Sequence, residues 1–413
     1  MGKRFTIYVV TAMLLGIAVG SLCHELIVSG VDRANLSGHF SLITDAFLRL
    51  IKMIIAPLVF ATLSVGIARM GDTKSLGRVG LRAMLWFIVA SLVSLSLGIV
   101  MVNLIAPGSS LHLALPAANA TSGTSAAALT VHDFMVHLIP RSFAEAMANN
   151  EILQIVVFSV FFGVALGQLG HRAAHLTDLI EQLSRVMLKV TGFVMLAAPI
   201  AVFAAITATI MNEGLGVLIT YGRFLGGFFL SLILLWCALL AMGFIFIRGR
   251  VWRLIPFIRE PVLLAFSTAS SEAAYPKTLE QLGRFGVSER ISSFVLPLGY
   301  SFNLDGSTMY CTFATLFIAQ AYGIQLAVSQ QLTMLLLLMV TSKGMAGVPR
   351  ASLVVIAATL SHFGIPEAGL LLVLAVDHVL DMGRSATNVL GNCVATAVVA
   401  AWEGELGPET QST

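Results

Sequence analysis

Five polar residues stand in the last apolar segment of the chain: Asp377, Asp381, Arg384, Asn388 and Asn392. Their spacings are 4, 3, 4 and 4. On a helix they fall within an arc of about 80°, so one face is polar along four turns. Ionisable groups inside an apolar helix are costly and mark function by default. An arginine on such a face points to an acidic solute. The structural alternative is a self-satisfied ladder in which Asp381 merely pairs with Arg384 at i+3.

A second polar cluster reads Tyr300-Ser301-Phe302-Asn303-Leu304-Asp305-Gly306-Ser307. Asn303 and Asp305 are two apart, so a regular helix would send them to different faces. Gly299 and Gly306 flank them, and a helix break there would free backbone carbonyls. Carbonyls together with Asn and Asp oxygens suit a hard cation. Two further stretches, Ser267 to Glu272 and Thr341 to Pro349, are rich in Ser, Gly and Ala. Small residues permit close backbone approach, and exposed N–H groups at half-helix starts favour anions.

These residues need a membrane-spanning frame. The chain has 413 residues, 57% hydrophobic and only 11% charged, where a soluble chain carries about 25% charged. The apolar runs do not alternate with period two, which argues against a barrel. The reading is an all-α polytopic membrane protein with spans near 5–28, 41–70, 82–106, 151–170, 188–211, 217–247, 294–322 and 370–401. The N-terminal run lacks a small-residue cleavage site and reads as a retained first helix. Cys23, Cys237, Cys311 and Cys393 sit singly in apolar runs and read as reduced core thiols.

The stretches 255–292 and 331–367 are too irregular to be simple spans. Basic residues decide their topology. With both termini inside, the clusters around Arg69 to Arg82, Arg172 to Lys189, Arg248 to Arg259 and Lys277 to Arg290 all face inward. Only Arg33 and Arg141 face outward in loops. That holds if each irregular stretch enters and leaves on one side. Two re-entrant hairpins from opposite sides result, making eight transmembrane helices plus two hairpins in inverted repeats, an arrangement common in secondary transporters. Residues 107–150 form an external loop, and the net charge of +3 gives no reason to expect a nucleic-acid partner.

The chain resembles the dicarboxylate/amino acid:cation symporters. The resemblance runs from Leu48-Arg-Leu-Ile-Lys-Met-Ile-Ile-Ala-Pro57 to Trp402 and rests on Gly299-Tyr-Ser-Phe-Asn-Leu-Asp-Gly-Ser307, Ala346-Gly-Val-Pro349 and Asp381-Met-Gly-Arg384. It implies a homotrimer in the bacterial inner membrane with an elevator-type glutamate transporter fold. Residues 1–81 and 151–211 would form a scaffold. Residues 82–106 and 217–402 would form the transport domain, with 403–413 a tail. Arg384 would hold a solute carboxylate and Asp381 an α-ammonium group. Ser270, Ser271, Ser307, Ser385, Asn388 and Gly347 would contact the solute. Asn303, Asp305, Asp377, Asn388, Asn392, Ser91 and Ser301 would form cation sites, and sodium would bind only there.

The departures bear on solute and ion. Carriers specialised for C4-dicarboxylates lack a carboxylate at the position of Asp381, so its presence favours glutamate or aspartate over succinate, fumarate or malate. Ser385 replaces a threonine typical of several amino acid carriers. Sodium-dependent members carry an aspartate at the position of Asn392, and a tyrosine and a threonine at those of Phe87 and Ala90; Ser91 is kept. Proton coupling is therefore the expectation, with Glu272 of Ser270-Ser271-Glu272 as proton carrier. The alternative places Glu272 in water at the tip. Lys343 and Arg350 read as rim residues of the second tip. No cofactor is expected. No intramembrane-protease motif is present, which argues against an enzyme; an anion channel is the remaining rival.

Overall fold

The computed structural model describes residues 2–27, 29–68, 73–110, 139–214, 221–341, 351–374 and 376–408. Among them the only extended pairing is an isolated bridge between Val287 and Leu406, and every longer element is helical. The helices are α1 (Gly2–Leu26), α2 (Gly30–Ala68), α3 (Thr73–Ile105), α4 (Phe143–Ala148), α5 (Ile152–Leu169), α6 (Ala174–Val194), α7 (Ala198–Glu213) and α8 (Gly222–Ile247). The chain continues through α9 (Arg250–Thr268), α10 (Ser271–Phe285), α11 (Glu289–Phe302), α12 (Asp305–Ala321), α13 (Val328–Thr341), α14 (Ala351–His362), α15 (Leu370–Leu374) and α16 (Asp377–Trp402). Segments Leu76–Ser109, Gln154–Val194, Gly222–Ile247 and Asp377–Trp402 are long and apolar enough to cross a membrane. Shorter apolar helices accompany them at Thr11–Leu26, Met53–Ala68, Ala198–Asn212 and Val328–Met339.

Packing gathers the helices into two sets. α1 lies along α7, and α2 packs against α5, α6 and α7. α16 is surrounded by α8, α9, α11 and α12, while α3 packs along α12 and α8. The sets meet chiefly where α2 lies on α10 and α11. There Gly66 leaves no room for a side chain, because a Cβ would stand 2.6 Å from Ser293 Oγ.

Several elements differ from the sequence expectation. α2 begins at Gly30 rather than 41, since Asp32, Arg33 and His39 dilute the hydropathy of its first turns. The expected span 188–211 divides at the 3-10 turn Met195–Ala197, with Pro199 opening α7 where its missing N–H costs nothing. Residues 174–187, which fall between the expected spans 151–170 and 188–211, belong to an amphipathic helix that runs on to Val194. The last span divides as well. α15 ends at Leu374, and Asp377 becomes the first residue of α16.

The first irregular stretch is a helical hairpin. α9 and α10 pack side by side, turning at Ala269, which takes φ 48°. Ser270 then caps α10 by accepting from the Ala273 N–H at 3.3 Å. The arms run over 250–285, slightly earlier than 255–292. For the second stretch the structure supplies arms α13 and α14, while its tip, including Lys343, Gly347 and Arg350, lies outside the described residues.

Candidate functional site

The break expected between Asn303 and Asp305 is present: α11 stops at Phe302 and α12 starts at Asp305. The break cancels the two-residue mismatch. Asn303 Nδ2 donates to Asp305 Oδ2 at 3.0 Å and to Asn392 Oδ1 at 3.2 Å. Ser94 of α3 donates to Asp305 Oδ1 at 3.4 Å. All four residues are buried, and two atoms in this cluster, Asn303 Oδ1 and Asn392 Nδ2, have no hydrogen-bond partner among the described residues. Glycines let the helices approach this closely. A Cβ at Gly391 would collide with Asp305 Oδ2, and one at Gly299 with Asn392 Oδ1.

One turn along α16, Asn388 joins the start of α12. Its Oδ1 accepts from the Gly306 and Ser307 N–H groups at 2.9 and 3.3 Å, and its Nδ2 donates to Ser307 Oγ at 3.0 Å. Those N–H groups belong to the first turn of a helix and have no intrahelical acceptor. Asn388 therefore closes the helix end exposed by the break. Gly306 permits the contact, since its Cβ would stand 2.5 Å from the Arg384 carbonyl oxygen.

Another turn back lies the ionic group. Arg384 Nη2 donates to Asp381 Oδ1 at 3.0 Å and to Asp377 Oδ1 at 3.3 Å. Its guanidinium sits 4.1 Å above the ring of Tyr310, whose hydroxyl donates to Asp377 Oδ1 at 2.9 Å. The Arg384 and Asp377 side chains are 3% and 7% exposed, whereas that of Asp381 is 36% exposed. Asp377 is thus held from two sides in the interior, and Asp381 faces open space through a single ion pair. Arg384 Nε is buried and without a hydrogen-bond partner among the described residues. A guanidinium with an unused donor is a ready seat for a carboxylate.

The remaining expected residues are placed unevenly. Ser385 is buried in α16. Ser91 is buried in α3, and Ser94, one turn later, donates to Asp305. The Ser301 hydroxyl is turned back to the carbonyl of Pro297 at 3.4 Å. Asp377 sits with Arg384 and Tyr310 rather than with Asn303 and Asp305. Ala269 at the first hairpin's turn packs against the apolar cluster that includes Met382, and Ser270 beside it caps α10. Tyr310 and Ser94 were not among the residues singled out from sequence. A tyrosine at membrane depth needs a partner for its hydroxyl, and that was the available signal. A cavity of about 480 Å³ lies elsewhere, between α6 and the second arm of the hairpin, lined by Arg185, Leu188, Lys277 and Glu280 among others.

A multi-pass helical membrane protein with a buried ionic site is what the fold and geometry define. The comparisons are more specific. Residues 5–402 match the model of the sodium:dicarboxylate symporter family, and the chain belongs to that family. It is 39% identical over 412 residues to C4-dicarboxylate transport protein 2 of Polaromonas naphthalenivorans (strain CJ2), covering 98% of this chain and 89% of that one. It is 40% identical over 410 residues to the proton/glutamate-aspartate symporter of Escherichia coli (strain K12), covering 95% and 91%. The chain is therefore a membrane symporter of small acidic solutes with a co-transported cation, and not an enzyme.

Proposed function

We propose that the chain carries glutamate or aspartate inward together with protons across a bacterial inner membrane, with both termini on the cytoplasmic side. The observation that carries this reading is the ion pair of buried Arg384 with half-open Asp381. An acidic amino acid presents a carboxylate to the first and an ammonium to the second, exchanging one ion pair for two. Ser270, Ser271, Ser307, Ser385, Asn388 and Gly347 complete the solute site in this reading. The E. coli relative's name points the same way. The name of the Polaromonas relative supports a second reading, a C4-dicarboxylate symporter.

Proton coupling is favoured over sodium by the cluster around Asp305. Its second position is the amide of Asn392 rather than a carboxylate, and the Phe87 ring stands beside Asn392 against Gly299. One carboxylate with an amide in the second place neutralises a sodium ion less well than two carboxylates would. Glu272 and the residues of the Asp305 cluster are the candidates for handling the cation. The two helix sets support an elevator in a homotrimer, with eight spans and two re-entrant hairpins. The set around α16, with α3, would move against the set around α2.

Purified protein in sodium-free proteoliposomes tests the reading. An inwardly directed proton gradient is expected to drive concentrative uptake of labelled aspartate, blocked by glutamate. Uptake that appears only with sodium would overturn the ion assignment. Asp381→Ala is expected to lose aspartate uptake, and full retention would overturn the solute assignment.

A further inference from the structure

Arg384 serves two carboxylates at once, and those carboxylates are not equivalent. Asp377 is enclosed, with both Tyr310 and Arg384 on the same oxygen. Asp381 is paired with Arg384 and faces the open side of the site. Taken together, one cation and two anions give this group a formal charge of −1 before any solute arrives. A solute carboxylate seated on the unused Arg384 Nε shares the guanidinium's charge with Asp381 and weakens its hold on that carboxylate.

What happens to Asp381 then depends on what else the solute brings. An acidic amino acid supplies an ammonium group, and Asp381 remains ionised beside it. A dicarboxylate supplies no cation. It would leave an ionised Asp381 against the solute's second carboxylate, and two carboxylates sharing one site do not both stay ionised. A proton on Asp381 converts the clash into a hydrogen bond, because the neutral acid donates where the carboxylate could only accept.

Among the described residues, Arg384 and His378 are the groups that can set positive charge beside Asp381. The charged and titratable groups on its own helix are Arg384, Asp377 and His378. From α12, Tyr310 and Cys311 face Arg384. The hairpin carries another acid, Glu272, in the first turn of α10, where its charge acts on Tyr300. The α8 face on Gly383 is Phe229 and Leu232, and the α7 face on Met382 is Phe203 and Ile206, all apolar. Arg384, already committed to the solute, is the cation nearest at hand, and the second tip with Lys343 and Arg350 lies outside the described residues.

We propose that Asp381 changes its protonation state with the class of solute. It stays ionised with an acidic amino acid and takes one proton from the entry side with a C4-dicarboxylate. That proton leaves with the solute on the far side. One site then accepts both classes, and a dicarboxylate travels with one proton more than an amino acid. The inference rests on the reading of Arg384 as the carboxylate grip.

Equilibrium binding of labelled aspartate and labelled fumarate to the purified wild-type protein, without sodium, between about pH 6 and about pH 8 tests it. Both fumarate carboxyls are ionised over this range, so a pH slope belongs to the protein. Linkage of one extra proton weakens fumarate about tenfold per pH unit relative to aspartate. Asp381→Asn, permanently neutral, is expected to bind fumarate at least about tenfold tighter than wild type at the alkaline end, with that slope abolished. Parallel slopes for the two solutes in wild type overturn the proposal, as does fumarate that binds at no pH. If Asp381→Asn does not fold, the wild-type slopes decide alone. Aspartate affinity unchanged in Asp381→Asn would instead sink the amino acid assignment, while the fumarate slope would still be read directly.

Discussion

Arg384 is useful only if it is aimed, and Tyr310 aims it. The phenol ring lies under the guanidinium and its hydroxyl occupies Asp377. Removing that hydroxyl frees Asp377 to pull harder on Arg384, in competition with the solute. Hydrogen bonds to charged groups are worth about 1.5–3 kcal/mol, so Tyr310→Phe is expected to weaken aspartate binding roughly tenfold or more while keeping the ring contact. Titration of the purified variant measures it, and unchanged affinity would dismiss the positioning role. The acidic and basic members of this group were legible because helical spacing alone puts Asp377, Asp381 and Arg384 on one face. Tyr310 was not, since a tyrosine in an apolar run reads as core until its hydroxyl is given a partner. Ser94 was missed for a similar reason. Its spacing from Ser91 is one turn, and only the packing of α3 on α12 brings its hydroxyl to Asp305.

Helix breaks, more than helices, build the site. The break at Asn303 was legible from two flanking glycines and an awkward polar spacing. The break before Asp377 was not, because Leu370 to Val376 is uninterrupted apolar sequence and hydropathy cannot see it. The first turns of the amphipathic α6 are hidden for the opposite reason, because their charged face lowers the hydropathy between the expected spans. Hairpin α9–α10 shows how an element with three internal prolines stays together. Glu260, buried on α9, lies 3.5 Å from Lys277 Nζ on α10 and accepts from Gln281 Nε2 at 3.5 Å. Lys277 also pairs with Glu280 at 2.9 Å, so its charge is shared. Breaking a buried ion pair from one side costs about 3–5 kcal/mol, because the other charge is stranded. Lys277→Met is expected near the lower end of that range, seen as a fall in melting temperature and faster hydrogen exchange in both arms. Glu260→Gln combined with Lys277→Met should recover most of the loss. A double variant as unstable as the single would show that the pair does not join the arms.

At the scale of the whole molecule, α3 is far in sequence from the helices it packs on, yet it is tied to them at both ends. At one end Gln320 Nε2 donates to the Val102 carbonyl at 3.1 Å and Arg223 donates to that of Ile105 at 2.9 Å. At the other, Arg78 and Arg82 each reach Glu403 at 2.8 Å, just beyond α16. The segment after Glu403 continues the clasp. Glu405 pairs with Arg290 at 2.7 Å and accepts from the Ser288 hydroxyl at 2.5 Å, and Arg250 donates to the Leu406 carbonyl at 3.1 Å. Residues 403–407 thereby join the starts of α3, α9 and α11 to the end of α16. Burial alone would raise the Glu403 carboxyl, but the hydrogen bond from Arg78 and the charges of Arg82, Arg78 and Arg290 hold it below its ordinary value of 4.5. A carboxyl depressed in the folded state stabilises fully above the unfolded value and loses that contribution as pH falls through the folded one. Arg78 is half exposed, so screening limits the effect. Glu403→Gln is expected to cost about 1–2 kcal/mol at neutral pH and to remove the clasp's share of the stability loss below about pH 4.5. Thermal denaturation in detergent as a function of pH reads both effects. If wild type and variant lose stability in parallel through the acid range, the clasp is not set by Glu403. If the variant keeps its stability but transports slowly, the same contact governs motion rather than folding, and α3 then follows α16 by the ion pairs and not by its apolar face alone.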